Sequence, residues 1–175
     1  MTKTKIDFNK IVVTLLSETT PGIDRFRNSK PEMVEHIQKN ALRDQQLKIG
    51  TTWVWVYDNN VALGYISLAM YSIDKKDILH DQYEHGKKYP YGTVPSLLVG
   101  QIATHQDYEC NGIGTSMISW AIKEALEYSK EIGCRTVALH PHEDVIEWYK
   151  EKLKFRHIKR DDKQDIMYFN LLKKS

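Results

Sequence analysis

Two cysteines in 175 residues, Cys110 and Cys134, are too few to staple a disulfide scaffold, and a chain of this length needs none. Nine glycines and five prolines fall below the usual share, which excludes a collagen-like chain, a long linker or a disordered tail. No apolar run approaches the roughly 18 residues that a membrane span requires. The opening residues Met1 to Asp7 lead into no signal-peptide core. A cytoplasmic protein with no membrane partner is therefore expected. Charge of one sign is also lacking: 25 Lys and Arg against 23 Asp and Glu leave a net +2. That balance neither demands nor excludes a nucleic-acid partner, because a local patch can hide inside it. What is present is an ordinary globular composition, 41% hydrophobic and 27% charged, fit for one domain over 1–175.

Patterning along the chain predicts a mixed α/β domain. The cluster Ile11-Val12-Val13 and Leu15-Leu16 marks a strand within 8–16, ended by the turn Thr19-Thr20-Pro21-Gly22. Ser29-Lys30-Pro31-Glu32 reads as a capping box, and Val34, Ile37 and Ala41 extend a helix over about 31–47. Residues 51–57 and 61–73 form a hairpin around Asp58-Asn59-Asn60. Residues 74–93, with His80 and His85, read as polar and irregular. Pro95 to Thr104 reads as a central strand, with Gly100 marking a bulge or a close backbone approach. A loop over 105–114 leads into a helix over 115–132 capped by Gly133. A strand over 134–140, a helix over 144–153 and a last hairpin around Asp161-Asp162-Lys163-Gln164 complete the order.

Two segments carry chemistry. The first is Glu109-Cys110-Asn111-Gly112-Ile113-Gly114-Thr115, between a strand and a helix. Two glycines one residue apart let the backbone turn sharply, and a helix start offers unpaired N–H groups and a partial positive charge. Together they make a seat for a phosphate or pyrophosphate; the same residues also serve as a plain glycine-rich cap. A P-loop is excluded, because Gly114-Thr115-Ser116 has no lysine. A dinucleotide fingerprint is poor, because Met117 stands where its third glycine belongs. The second segment is Val145 to Phe155. Trp148, Leu153 and Phe155 pack a short helix, and Tyr149 on spacing alone is a core residue. A tyrosine hydroxyl, of reference pKa about 10, also suits proton donation to a leaving thiolate.

The two segments together resemble the GNAT superfamily of acyl-CoA-dependent N-acetyltransferases. The family's pyrophosphate motif, Gln/Arg-x-x-Gly-x-Gly/Ala, corresponds to Glu109-x-x-Gly112-x-Gly114. Its late helix, Phe-Tyr-x-x-x-Gly-Phe, corresponds to Trp148-Tyr149 and Leu153-Lys154-Phe155. The first half carries a closer resemblance, to the acetyltransferase toxins of bacterial toxin–antitoxin pairs, which acetylate the amino group of an aminoacyl-tRNA. The residues concerned are Phe26-Arg27-Asn28-Ser29, His36, Ala41, Gln45, Thr52-Trp53-Val54, Gly64 to Ala69 and Leu98 to Ala103. Departures are Glu109 for Gln or Arg, Lys154 for Gly, Gln101 for Arg and His105 for Asp.

The resemblance implies a single mixed, mostly antiparallel sheet with splayed central strands and flanking helices. It implies acetyl-CoA as cosubstrate and direct attack by a primary amine. The backbone of Ile102, Ala103 and Thr104 is then expected to pair with the pantetheine arm. Glu109, Cys110, Asn111, Gly112, Ile113, Gly114 and Thr115 are expected around the pyrophosphate, with only backbone N–H groups credited at Glu109. Tyr149 is expected to act as general acid. His105 and Glu143 are candidate bases, and many such enzymes take an already neutral amine. The acceptor stays open between small amines, protein amines and charged tRNA. A non-catalytic acetyl-CoA sensor, a toxin held by an antitoxin and a homodimer are the other readings. Three further features draw bland readings. His140-Pro141-His142-Glu143 lacks a further metal ligand, so no metal is expected. Cys110 reads as a bystander thiol and Cys134 as core. Trp53, Trp55 and Tyr65 read as packing residues.

Overall fold

The computed structural model describes residues 6–78, 83–84, 87–160 and 164–172. Strands β1 (Ile11–Leu15), β2 (Thr51–Tyr57), β3 (Val61–Asp74), β6 (Thr93–Thr104), β7 (Thr136–Leu139), β8 (Arg156–Ile158) and β9 (Ile166–Asn170) lie in one sheet of order β1-β2-β3-β6-β7-β9-β8. The two-residue strands β4 (Tyr83–Glu84) and β5 (Lys87–Lys88) form a separate ribbon. The β6–β7 pairing is parallel, over Ser96–Val99 and Thr136–Leu139, and β6 runs on to Thr104. The pairs β1–β2, β2–β3, β7–β9 and β8–β9 are antiparallel. The expected mixed, mostly antiparallel sheet is present. The helices are α1 (Pro31–Glu35), α2 (Ala41–Gln46), α3 (Lys75–Ile78), α4 (Ile113–Tyr128) and α5 (Ile146–Leu153).

The chain divides into two compact units, one of residues 1–69 and 100–120, the other of 70–99 and 121–175. In the first unit, the apolar face of 31–46 and the loop before it bury Phe26, Met33, Ile37 and Ala41 against Val54, Val56, Ala62, Tyr65 and Ala103. Gly64 sets the depth of this packing. A Cβ there would lie 2.8 Å from the Ala103 carbonyl oxygen and 3.0 Å from Met117 Cε, so only glycine lets β3, β6 and α4 approach this closely. In the second unit Ile73, Ile78, Val94, Ala138, Ile166 and Tyr168 form a separate core.

Several local expectations change. The capping box does not form, because Lys30 and not Ser29 is the N-cap; Asn28 Oδ1 accepts the Lys30 N–H at 2.9 Å, and Pro31 opens the helix. The helix over 31–46 contains a π-helical turn, His36–Asn40, that periodicity cannot reveal. The bulge falls between Trp55 and Val56 of β2. Gly100 marks neither a bulge nor a close approach: a Cβ there would meet the Ser67 carbonyl oxygen at 3.8 Å, an ordinary contact. Helix α4 begins at Ile113 and ends at Tyr128, so Gly133 lies beyond its end and, with no positive φ, makes no left-handed cap. The segment read as irregular holds the end of β3, α3 and the start of β6. His80, His85 and Asp161-Asp162-Lys163 lie outside the described residues.

Two substitutions test these backbone constraints. Gly64→Ala forces Ala103 or Met117 to move and is expected to cost about 1–3 kcal/mol, the usual penalty of overpacking. At roughly 2–4 °C per kcal/mol for a chain of this size, calorimetry reads several degrees of lost Tm. Lys154, after α5, holds φ 59° and ψ 28°, the left-handed region, where a side chain costs about 1–2 kcal/mol and glycine nothing. Lys154→Gly is expected to gain about 1 kcal/mol after glycine's extra unfolded-state freedom is deducted, raising Tm by a few degrees.

Candidate active site

In the first unit, the end of β6 and the turn after it form a tied corner. The His105 N–H donates to the Leu63 carbonyl at 2.8 Å, and the Gln106 N–H to the Arg27 carbonyl at 2.9 Å. Asn28 Nδ2 donates to the Thr104 carbonyl at 2.8 Å, and Arg27 pairs with Asp107. The Phe26-Arg27-Asn28 segment is thus bound to Thr104 through Asp107 by backbone and side-chain contacts that no spacing rule signals. Ala103 is buried, and Ile102 and Thr104 are half-buried.

The glycine loop follows. Cys110 has φ 60° and Gly112 φ 81°, two left-handed residues that reverse the chain into α4. Asn111 Nδ2 donates to the Tyr108 carbonyl at 3.1 Å and so braces the turn. The Ser116 N–H donates to the Gly112 carbonyl at 3.0 Å, which makes the Gly112 carbonyl the first acceptor of the helix. Helix geometry then leaves the N–H groups of Ile113, Gly114 and Thr115 without intrahelical partners. Ile113 is buried, Gly114 half-buried, and Glu109, Cys110, Gly112 and Thr115 are exposed. The loop presents backbone N–H groups at a positive helix end and fits an anionic phosphate group.

His105 is not a solvated loop residue. It is 6% exposed, its ring edge-on to Phe26 at 5.5 Å and to Tyr108 at 5.3 Å. Nδ1 accepts the Asp107 N–H at 3.2 Å and Nε2 donates to the Arg25 carbonyl at 3.3 Å. Both nitrogens are engaged in one neutral tautomer, so no lone pair is left for a substrate proton. A cavity of about 480 Å³ opens beside it, lined by Asp24, Arg25, Arg27 and Asp107 among others. With two arginines and two aspartates, its charge is balanced.

A chain of polar groups that sequence reasoning did not assemble runs from the π-helical turn to the sheet. His36 Nε2 lies 3.0 Å from Ser67 Oγ, and Ser67 Oγ lies 2.7 Å from Thr52 Oγ1. Gln45 Oε1 accepts the Thr52 N–H at 3.2 Å, while Gln45 Nε2 donates to the Leu16 carbonyl at 3.1 Å. The His36 ring stacks on Tyr65 at 5.8 Å, and the Tyr65 hydroxyl donates to the Met33 carbonyl at 2.7 Å. Burial lowers the His36 pKa, partly opposed by Asp44, and burial raises that of Tyr65. Of the residues that carried the toxin resemblance, Phe26, His36, Ala41, Gln45, Thr52, Tyr65 and Ser67 sit together in the first unit, whereas Leu98 and Val99 belong to the second.

In the second unit, Tyr149 of α5 is 4% exposed. Its ring packs against Trp148 at 4.8 Å and Phe155 at 5.5 Å, and its carbonyl accepts the N–H groups of Lys154 and Phe155 at the helix end. Its hydroxyl has no hydrogen-bond partner among the described residues. Burial pushes its pKa up, so it stays protonated at neutral pH. A buried hydroxyl without a partner costs about 1–3 kcal/mol and calls for a function. Glu143 is exposed in a 3-10 turn, Glu143–Val145. His140 Nδ1 donates to the Asp165 carbonyl at 2.9 Å, and among the described residues no group of three His, Cys, Asp or Glu is placed to hold a metal ion. Cys110 and Cys134 are both free thiols. Cys134 is half-buried, which raises its pKa. Trp55 packs edge-on to Trp120 and donates from Nε1 to Ser116 Oγ at 3.2 Å. No described helix is long and apolar enough to cross a membrane.

Comparison with known proteins bears on the family and the fold. No curated protein matches the sequence. Among solved structures, AtaT complexed with acetyl-methionyl-tRNAfMet is similar with a TM-score of 0.81 and 17% identity, over 91% of this chain and 94% of that one. AtaTR bound with acetyl-CoA gives 0.77 and 17%, over 93% and 95%. A tyrosine-to-phenylalanine mutant of KacT gives 0.79 and 17%, over 93% and 95%. At such identities the likeness is one of fold. The model of the acetyltransferase (GNAT) family matches residues 15–155, most of the chain. The chain accordingly belongs to the GNAT acetyltransferase family and is an acetyl-CoA-dependent N-acetyltransferase.

Proposed function

We propose that this enzyme, acting as one N-acetyltransferase domain in the cytoplasm, moves the acetyl group of acetyl-CoA to the α-amino group of an aminoacyl-tRNA. Tyr149 acts as the general acid. The observation that carries the mechanism is the Tyr149 hydroxyl, buried, protonated at neutral pH and unpartnered among the described residues. The acceptor rests on the clustering of Phe26, His36, Gln45, Thr52, Tyr65 and Ser67 in one unit, and on the likeness to AtaT bound to an acetylated initiator tRNA.

In this reading the backbone of Ile102, Ala103 and Thr104 pairs with the pantetheine arm. The N–H groups from Glu109 through Cys110, Asn111, Gly112, Ile113, Gly114 and Thr115 take the pyrophosphate. Glu109 contributes no charge of use, since a carboxylate repels a phosphate, and its exposure lets the side chain turn to solvent. The amine nitrogen attacks the thioester carbonyl carbon, the carbon–sulfur bond breaks, the Tyr149 O–H proton passes to the departing sulfur, and the proton shed by the acylated nitrogen returns through solvent to the tyrosinate. Positioning of amine and thioester supplies most of the rate gain.

No dedicated base is required. An α-amino group has a reference pKa of about 7.7–8.0, so an appreciable neutral fraction exists near pH 7.5. His105, with both ring nitrogens engaged, then holds the corner of β6 rather than taking the proton. An antitoxin partner fits the same reading, because a tyrosine-to-phenylalanine mutant of AtaT is known bound to the C-terminus of the antitoxin AtaR and acetyl-CoA.

The test is thiol release from acetyl-CoA with charged tRNA, polyamines, amino-terminal peptides and lysine peptides. Charged tRNA is expected to be the best acceptor, and Tyr149→Phe to lower kcat at least about tenfold, roughly 1.4 kcal/mol of barrier. Preference for polyamines or for either class of peptide overturns the acceptor. An unchanged kcat in Tyr149→Phe overturns the acid. Tight CoA binding without turnover on any acceptor marks a sensor.

A further inference from the structure

The proton count of the polar chain at the π-helical turn leads beyond the reaction itself. Thr52 is 1% exposed and Ser67 9%, so their hydroxyl protons must be satisfied inside the protein. The contacts recorded for the two hydroxyls are with each other and with His36 Nε2. Only one direction places both protons: Thr52 Oγ1 donates to Ser67 Oγ, and Ser67 Oγ donates to His36 Nε2. The reverse direction leaves the Thr52 proton without an acceptor. The chain therefore ends on the Nε2 lone pair and puts the imidazole proton on Nδ1.

Nδ1 has no partner among the described residues. The ring is half-buried and is held in place by its stack on Tyr65, itself anchored through the Met33 carbonyl. It starts a π-helical turn, a costly local geometry that recurs at functional sites. Its partner Ser67 lies next to the strand that leads to Ile102: the Ser67 carbonyl oxygen is 3.8 Å from the Cβ position of Gly100. A fixed donor with an open end next to the strand that leads to the acyl group suits an oxygen of the acceptor. The groups that face the ring are Ser67 and Tyr65 from β3 and Asp44 from its own helix.

We infer that His36 is a specificity-determining residue whose Nδ1–H donates to the carbonyl oxygen adjacent to the attacked amine, so that the enzyme prefers α-amino acyl acceptors over plain alkylamines. This rests on the acetyl-transfer reading above and adds how the acceptor class is told apart. The neutral ring suits this role, since a donor to a carbonyl needs no charge.

The experiment uses the full chain, labelled with 15N-histidine and assigned with His36→Asn. Imidazole nitrogen spectra at pH 7.5 are expected to show His36 as the Nδ1–H tautomer. Titration with L-leucinamide is expected to shift Nδ1, and titration with n-butylamine, which has no carbonyl, to leave it in place. An Nε2–H tautomer, no shift with leucinamide, or equal shifts with both amines overturns the inference. These readouts need no turnover, so a failure of the acetyl-transfer reading shows separately as absent thiol release. Where turnover is present, His36→Phe is expected to raise KM for leucinamide about tenfold at similar kcat. KM for butylamine should stay within twofold, and His36→Asn, which keeps an N–H donor, should recover part of the loss. Equal losses with both amines mean a structural role and overturn the assignment.

Discussion

The approach of β3 to β6 at Gly64 is the constraint from which the first unit is built. With no side chain at that position, the Ala103 carbonyl and Met117 of α4 close against the backbone of β3. That closeness seats Ala103 in the core and starts α4 directly after the glycine loop. It also brings Leu63 to the His105 N–H, which bends the chain out of β6. The donors at the start of α4 and the backbone of Ile102 to Thr104 are therefore positioned by packing that lies one strand away. Gly64, which belongs to neither motif, thus governs the geometry of the strand end and of the glycine loop.

Three buried or half-buried polar side chains among the described residues engage their polar atoms in different ways. His105 spends both ring nitrogens on backbone groups and becomes part of the scaffold. His36 engages one nitrogen with a hydroxyl chain and leaves the other open among the described residues. Tyr149 leaves its hydroxyl open in the same sense while burying the rest of its ring. Unpaired buried polar atoms cost stability, and the two open groups belong to residues that face acceptor or donor chemistry in the proposed reaction. The same reasoning moves His105 out of the chemistry, although its place at the end of a strand suggests a base.

Left-handed residues mark the two segments that the motifs singled out. Cys110 and Gly112 turn the loop before α4, and Lys154 ends α5 where the family pattern carries glycine. Lys154 keeps the same cap hydrogen bond that glycine would make, from its N–H to the Tyr149 carbonyl. The departure therefore changes the energy of the turn and not its shape, which is why the late motif stays legible despite the substitution.

The linear chain was informative wherever chemistry is local. Hydrophobic alternation and spacing placed the main strands and helices, because burial of one face acts within a few residues of each position. Glu109 to Thr115 announced a glycine-rich helix start, because glycine, helix ends and their free N–H groups are neighbours in sequence. Helix boundaries were less legible: α4 starts two residues before the expected 115, since the αL residues Cys110 and Gly112 finish the turn earlier than the glycine pattern alone implies. The rest was decided by folding. Nothing in the spacing of His36, Thr52 and Ser67 joins them; the antiparallel register of β2 and β3, with Thr52 opposite Ser67, does. Nothing near His105 in sequence predicts the Arg25 carbonyl that occupies its Nε2, because that contact spans 80 positions. Local patterns record what each residue prefers, whereas proton ownership and burial depend on which distant groups the sheet brings alongside.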